Sequence, residues 1–376
     1  MTAGLVLLLG APVFWLAAWL PPRRAQPVAM LGVTIAVMAF AAPLSVVVAL
    51  GLGAAVHLLA RDAERRPGRI IGIVALCAAA FVALKHDVRL GESGGALGIR
   101  LGFAYYSLRL LHYSLDRYAG RQRALKPLEL LSYTLFFPTL VAGPIHRVGR
   151  FQRELRRRRW DSALATQGGE RVLYGLVRIV VLGNFLVGQA REWLARVEPP
   201  AWQQGLGELG CYGANLYCQF AGFSDLAIGV ALLAGVRIEE NFNRPFLATN
   251  ISDFWRRWHM TLSGWCRDYV FTPMTAVTRR ASVGVVASMI ALGAWHEPSL
   301  RYLAWGVYHG LGIAVWRLLQ RRLGPRKARG RALNTGMAIG GWALTMAFVI
   351  LSFALTSTAG ITEALSLWAC IFSLEH

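Results

Sequence analysis

The feature that most constrains this chain is a stretch with no Asp, Glu, Lys or Arg from Ala25 to Ala60. As one helix, those 36 residues would rise about 54 Å, nearly twice the roughly 30 Å hydrocarbon core of a bilayer. The segment must therefore turn, and Pro43 is the expected break. A second charge-free run covers 332–362, and shorter apolar runs cover about 4–20, 70–84, 172–190, 209–236, 281–296 and 302–316. About nine to eleven membrane segments follow, some too short to span alone.

Composition agrees with that reading. Of 376 residues, 55% are hydrophobic and 16% charged, which excludes a disordered or collagen-like chain. Forty Lys and Arg against twenty Asp and Glu give a net charge of +20, but the charge lies in short runs between apolar stretches. That pattern fits loops facing an anionic lipid leaflet and no nucleic-acid partner. Five cysteines, an odd number without a CxxC pair, indicate neither a disulfide scaffold nor a zinc ribbon and read as small buried residues.

Leu5 to Leu20 lacks a basic segment before it and is followed by Pro21-Pro22-Arg23-Arg24, so it reads as an anchor helix with an outer N-terminus. The basic runs Arg61–Arg69, Arg147–Arg159 and Arg317–Arg331 are assigned to the cytoplasmic face. Arg147–Arg159, with Phe151, Leu155 and Trp160 interleaved, reads either as a solvated loop or as a basic amphipathic helix for an acidic partner or anionic lipid. No repeat or linker divides the chain, so residues 1–376 are expected to form a single multi-pass membrane domain.

Polar residues at membrane depth mark function, because each must be paired or line a cavity. His296 ends the uncharged run that begins at Ala281. An imidazole there suits removal of a proton from a hydroxyl near neutral pH; the structural alternative is a histidine bonded to a backbone carbonyl. Upstream lies Asp253-Phe254-Trp255-Arg256-Arg257-Trp258-His259. On a helix, Trp255, Trp258 and His259 share one face, giving an aromatic-walled histidine beside two guanidiniums suited to a carbonyl or phosphate. An interfacial aromatic and basic belt explains the same residues. His309, 13 residues past His296, falls about 220° around a continuous helix and reads as structural. None of these histidines has metal-site spacing. Ser224, in Gly222-Phe223-Ser224-Asp225-Leu226, lacks the second glycine of a nucleophile elbow, and Asp225 needs a partner.

The sequence resembles the membrane-bound O-acyltransferase (MBOAT) family. The resemblance rests on Asn241-Phe242-Asn243-Arg244-Pro245-Phe246, the block Asp253 to His259 with Leu262, Trp265, Arg267, Asp268 and Tyr269, and Trp295-His296. Upstream, Phe136 to Ile145 and Phe220 to Gly229 look like further family blocks, and Tyr105 to Tyr118 resembles the helix before them, so the likeness covers about 100–320. It is most similar to the bacterial branch that acylates polysaccharides and cell walls, such as alginate O-acetyltransferases and teichoic-acid D-alanyl transferases.

The resemblance implies an all-α ring of tilted, partly re-entrant helices around a central tunnel joining a cytoplasmic donor to an extracytoplasmic acceptor. It implies that His296 is the catalytic histidine and His259 a second catalytic residue. Trp255, Trp258, Trp295, Arg256, Arg257, Asp268, Asn243 and Glu297 complete the expected substrate-binding set, with no metal. No bound cofactor is expected: the donor is a thioester, acetyl-CoA or another acyl-CoA, or an acylated carrier protein. The acceptor is a hydroxyl of an exported glycan or other envelope molecule, reached at the bacterial inner membrane with membrane lipid around it and an extracytoplasmic acyltransferase as a possible partner. A thioester needs no metal and a hydroxyl nucleophile needs a base, so the residues agree with this chemistry. The tryptophans would exclude water from the thioester.

The chain departs from the family pattern where Glu297-Pro298 replaces the usual glycine after Trp-His, placing a carboxylate beside the base or at the acceptor mouth. It also has Gln219 and Ala221 where relatives often have Asp and Ser. The competing readings are a non-catalytic scaffold or acyl-handling channel that passes its acyl group to an outer partner, and a long-chain lipid acyltransferase with a wide apolar donor tunnel.

Overall fold

Pro43 breaks the first charge-free stretch as expected. A computed structural model, which describes residues 3–62, 66, 68–85, 102–323 and 331–373, has one helix over Gln26–Ala41 and the next over Pro43–Ala60. Ala42 between them leaves the helical region (φ −161°, ψ 68°), because the ring of a following proline crowds the α conformation. Proline then starts the second helix, where its missing N–H has no partner to lose.

Helix is the regular structure throughout the described residues. Among them, Pro43–Ala60, Ser162–Val197, Ala201–Leu233 and Thr335–Ser357 are long and apolar enough to cross a membrane. Val6–Trp19, Gln26–Ala41, Gly68–Ala80, Ala281–His296 and Ile361–Phe372 are shorter apolar helices. The protein is thus a multi-pass membrane protein. The expected cytoplasmic runs at Arg61–Arg69 and Arg317–Arg331 lie partly outside the described residues, which omit 63–65, 67 and 324–330.

The chain divides into two compact units, Met1–Leu176 with Gly222–Glu240, and Val177–Ala221 with Asn241–His376. The first unit packs Phe14, Leu52, Val56, Tyr106, Leu110, Tyr133, Phe137 and Ile228 in one core. Arg109, fully buried on the helix Phe103–Tyr118, donates to the carbonyls of Thr134 (2.9 Å) and Thr139. The basic run is neither wholly a solvated loop nor wholly an interfacial helix. Val148–Arg157 is helical, with Val148 and Phe151 buried. Arg156 pairs with Glu129 at 2.9 Å. Arg158 turns inward to donate to the carbonyls of Ala18 (2.6 Å) and Ala234 (3.0 Å).

Asp225 finds its partner in Arg171, at 2.6 Å, with only 3% of the carboxylate side chain exposed. Removing one member of a buried pair strands the other charge, so Arg171→Ala is expected to destabilise the protein by about 3 kcal/mol. Denaturation of purified protein in detergent checks this. A midpoint equal to wild type would show that the pair contributes nothing.

In the second unit, Ala281–His296 and Leu300–Leu323 form a tight helical hairpin turned at Pro298. Glycines set its closeness. A Cβ on Gly293 would lie 2.2 Å from the Tyr302 carbonyl oxygen, and one on Gly306 2.5 Å from that of Met289. Gly306 and Gly310, four apart, present the same bare face to the partner helix. The charge-free run 332–362 is likewise broken, into Arg331–Ser352, Ala354–Ser357 and the start of Ile361–Ser373.

Candidate active site

The second unit holds the candidate site, and its first wall is a deliberate interruption of helix. Asn250 caps the helix Ile251–Arg257 by accepting the Asp253 N–H at 2.9 Å. The helix stops at Arg257: Trp258 is extended, and His259 takes a left-handed conformation (φ 44°) before helix resumes at Met260–Cys266. A residue with a Cβ adopts that region only when its surroundings hold it. Asn241 does so, since its carbonyl accepts the Met260 N–H (2.8 Å) and its side chain accepts the Thr261 hydroxyl (2.9 Å). The Asn243 N–H donates to the Arg257 carbonyl at 2.9 Å. The helical face expected for Trp255, Trp258 and His259 therefore does not exist beyond Arg257. Those three side chains nevertheless line one cavity.

The second wall is the glycine-lined hairpin. His296 is its last residue before the turn, half-buried, with its ring stacked on Tyr302 (6.0 Å, 28°) and edge-on to Trp305 (5.9 Å). Trp295 lies against both histidines, 4.8 Å from His296 and 6.2 Å from His259 between ring centroids. The result is an aromatic-walled cavity of about 150 Å³ lined by His259, His296, Trp255, Trp258, Tyr302, Trp305 and His309. Tyr212, Ser352, Phe353 and Thr356 close its other side. His259 lies in the helix break, outside the apolar spans. Burial lowers its pKa to about 4, so its ring is neutral at neutral pH.

His309 also lines this cavity, contrary to the expectation from a continuous helix. The turn at 297–299 reverses the chain, so an angle counted through it has no meaning. The His309 environment defines its tautomer. Trp255 Nε1 donates to His309 Nδ1 (3.3 Å), leaving Nε2 to donate to Ser352 Oγ (3.0 Å), whose hydroxyl donates to the Val349 carbonyl (2.6 Å). A ring engaged at both nitrogens holds the Trp255 indole in place.

The other expected binding residues are placed elsewhere. Arg257 and Arg256 both turn to Asp253, at 2.8 and 3.4 Å, so the guanidiniums do not flank His259. Asn243 is exposed, and Asp268 is salt-bridged to Arg267 at 2.9 Å. Glu297 is bound to Arg301 at 2.8 Å. Arg256 instead lines a second cavity, of about 450 Å³, with Arg267, Arg317, Met260, Cys266 and Leu292. Trp255 borders both cavities. Among the described residues no cluster suited to a metal ion occurs.

Residues 209–355, which include both cavity walls, match the model of the membrane-bound O-acyltransferase family. The chain is 30% identical over 277 residues to the probable alginate O-acetylase AlgI of Pseudomonas aeruginosa, covering 73% of this chain and 51% of that protein. It is 31% identical over 239 residues to the teichoic acid D-alanyltransferase of Bacillus subtilis, covering 59% and 60%. The peptidoglycan O-acetyltransferase of Helicobacter pylori is 29% identical over 198 residues, covering 50% and 37%. The chain belongs to the MBOAT family.

This MBOAT chain spans about half the length of the alginate relatives it matches. Within it, imidazoles and several indoles line a small, mostly apolar space, an arrangement able to move a proton and to donate a hydrogen bond to developing charge. Sequence reasoning on this MBOAT chain missed Tyr302, Trp305 and Ser352 and kept His309 out of the site. The aromatic spacing Tyr302, Trp305, His309 (i, i+3, i+7) on one helix was the available signal, since it marks a single face.

Proposed function

We propose that this protein is an O-acyltransferase of the bacterial inner membrane that moves a short acyl group, acetyl first and aminoacyl second, from a cytoplasmic thioester to a hydroxyl of an exported glycan or other envelope acceptor. The observation that carries this reading is the enclosure of His259 and His296, remote in sequence, in one aromatic-walled cavity. The printed activities of the relatives, alginate O-acetylase, teichoic acid D-alanyltransferase and peptidoglycan O-acetyltransferase, agree with it.

In this reading His296 accepts the proton of the acceptor hydroxyl as its oxygen attacks the thioester carbonyl. The C–O bond forms, the C–S bond breaks, and the departing sulfur takes the proton from His296. Neutral His259 donates a hydrogen bond to the carbonyl oxygen as negative charge gathers there. The tryptophan walls keep water from competing with the hydroxyl. A cavity of about 150 Å³ matches a benzene-sized occupant, which supports acetyl or alanyl over a long acyl chain. The larger cavity beyond Trp255, with Arg256, Arg267 and Arg317, suits the phosphate that acyl-CoA and an acylated carrier protein share. The outer partner, if the transfer is completed by one, would take the acyl group on the far side.

Single-turnover transfer tests the reading. Membranes containing the protein are given radiolabelled acetyl-CoA or radiolabelled acetylated carrier protein, and alkali-labile label is followed into the envelope fraction. Label transferred by wild type and not by His296→Ala is the expected result and names the donor. Equal transfer by both would favour a non-catalytic channel, and transfer from radiolabelled palmitoyl-CoA, run in parallel, with none from either acetyl donor would favour lipid acylation.

A further inference from the structure

Glu297 follows His296 directly, and the structure pairs it with Arg301. Its carboxylate receives Arg301 Nη2 at 2.8 Å and Nε at 3.3 Å across the turn that follows His296. The helix must end there: Pro298 cannot continue it, the Glu297 N–H closes the last turn on Gly293 (3.0 Å), and the Ser299 N–H donates to the Glu297 carbonyl (2.8 Å).

Arg301 does more than hold the turn. Its Nη1 donates to the carbonyls of Thr358 and Thr356, the latter at 3.5 Å and also the acceptor for the Tyr212 hydroxyl (3.2 Å). Its guanidinium lies over the Tyr302 ring, 5.1 Å from the centroid, and Tyr302 is the residue on which His296 stacks. Only 18% of the Arg301 side chain is exposed. One planar cation therefore joins three parts of the cavity: the residue after His296, the ring under His296, and the wall that carries Ser352, Phe353 and Thr356. A bidentate carboxylate on one edge and carbonyls on the other use the fork of a guanidinium, which a lysine ammonium does not reproduce.

We propose that Glu297 and Arg301 form a clamp that positions His296, with Arg301 as a positioning residue acting through Tyr302 and the Thr356–Thr358 carbonyls. The kinetic part of this proposal rests on the reading of His296 as the base. The carboxylate beside the base is then taken up by Arg301 and becomes a tie.

The test uses full-length Arg301→Lys, Arg301→Gln, Glu297→Gln and the Arg301→Gln/Glu297→Gln double variant in membranes. A displacement of about 1 Å at a reacting group costs up to about a hundredfold in rate, so each Gln variant is expected to lower kcat by about tenfold to a hundredfold with the donor KM unchanged. The double variant is expected to be no slower than the slower single one, since both break the same tie. Arg301→Lys, which keeps the charge and loses the fork, is expected to fall between wild type and Arg301→Gln. Unchanged kcat in all variants, or losses that multiply in the double variant, overturn the clamp.

A second readout does not depend on catalysis. Diethylpyrocarbonate modification, followed by mass spectrometry, is expected to rise severalfold at His296 in Arg301→Gln while fully enclosed His309 stays protected. Equal rises at both histidines would mean general unfolding and a purely structural arginine, and no rise at either would mean that His296 is held without Arg301. If transfer is absent from wild type but His296 alone becomes reactive, the clamp stands and the acyltransferase reading fails.

Discussion

His296→Ala abolishes acyl transfer in a protein that still folds: that is the expected result with the most direct bearing on mechanism. A hydroxyl is a poor nucleophile near neutral pH, and a positioned base typically contributes about 10² to 10⁴ in rate. The remaining enclosure, tryptophan walls and His259 cannot supply a proton acceptor at that position. The fold survives because His296 sits half-buried at the end of its helix, among Trp295, Tyr302 and Trp305, the last two of which pack on each other without it. His309→Ala provides the contrast. That ring is 1% exposed and bridges Trp255 to Ser352, so its loss is expected to lower both stability and activity. Single-turnover rate and thermal midpoint, measured on the same purified samples, separate the two outcomes. A wild-type rate in His296→Ala would end the assignment of this residue as the base.

The largest expected effect on the fold is at Gly306. A Cβ there already meets the Met289 carbonyl oxygen at 2.5 Å and the Ile290 Cα at 2.8 Å, both backbone atoms that cannot turn aside. Gly306→Leu must therefore push Leu300–Leu323 away from Ala281–His296, and the close packing through Gly293 and Gly310 goes with it. Overpacking against side chains costs typically 1–3 kcal/mol; against backbone, about 3 kcal/mol or more is expected. Since this hairpin carries His296, Tyr302, Trp305 and His309, the cavity opens as the helices part. The checks are the yield of monodisperse protein and its thermal midpoint, with Gly340→Leu as control, because a Cβ on Gly340 meets nothing within 4 Å. Equal behaviour of the two variants would show that the hairpin does not depend on the bare glycine face.

The site was legible in part. The run from Ala281 to His296 ends in a histidine at an apolar helix terminus, and composition alone makes that residue conspicuous. The block from Asn241 to His259 was visible as a cluster of rings and charges, but its internal geometry was not. Spacing arguments assume an unbroken helix, and this segment breaks at Trp258 because Asn241 offers its carbonyl and amide to the residues beyond the kink. The same assumption misplaced His309, on the far side of a turn.

The sequence by itself determined what short-range forces decide. Long charge-free runs must lie in lipid, proline must break them at Pro43, and a buried Asp225 must find a partner. Only the tertiary structure decided which polar groups meet. Trp255 donates to His309, Arg171 reaches Asp225, and Arg158 donates to the carbonyls of Ala18 and Ala234. The physical reason is reach and direction. Hydropathy acts on each residue where it stands, whereas a hydrogen bond or ion pair needs two groups within about 3 Å and correctly aimed, which depends on how segments far apart in sequence fold back on each other.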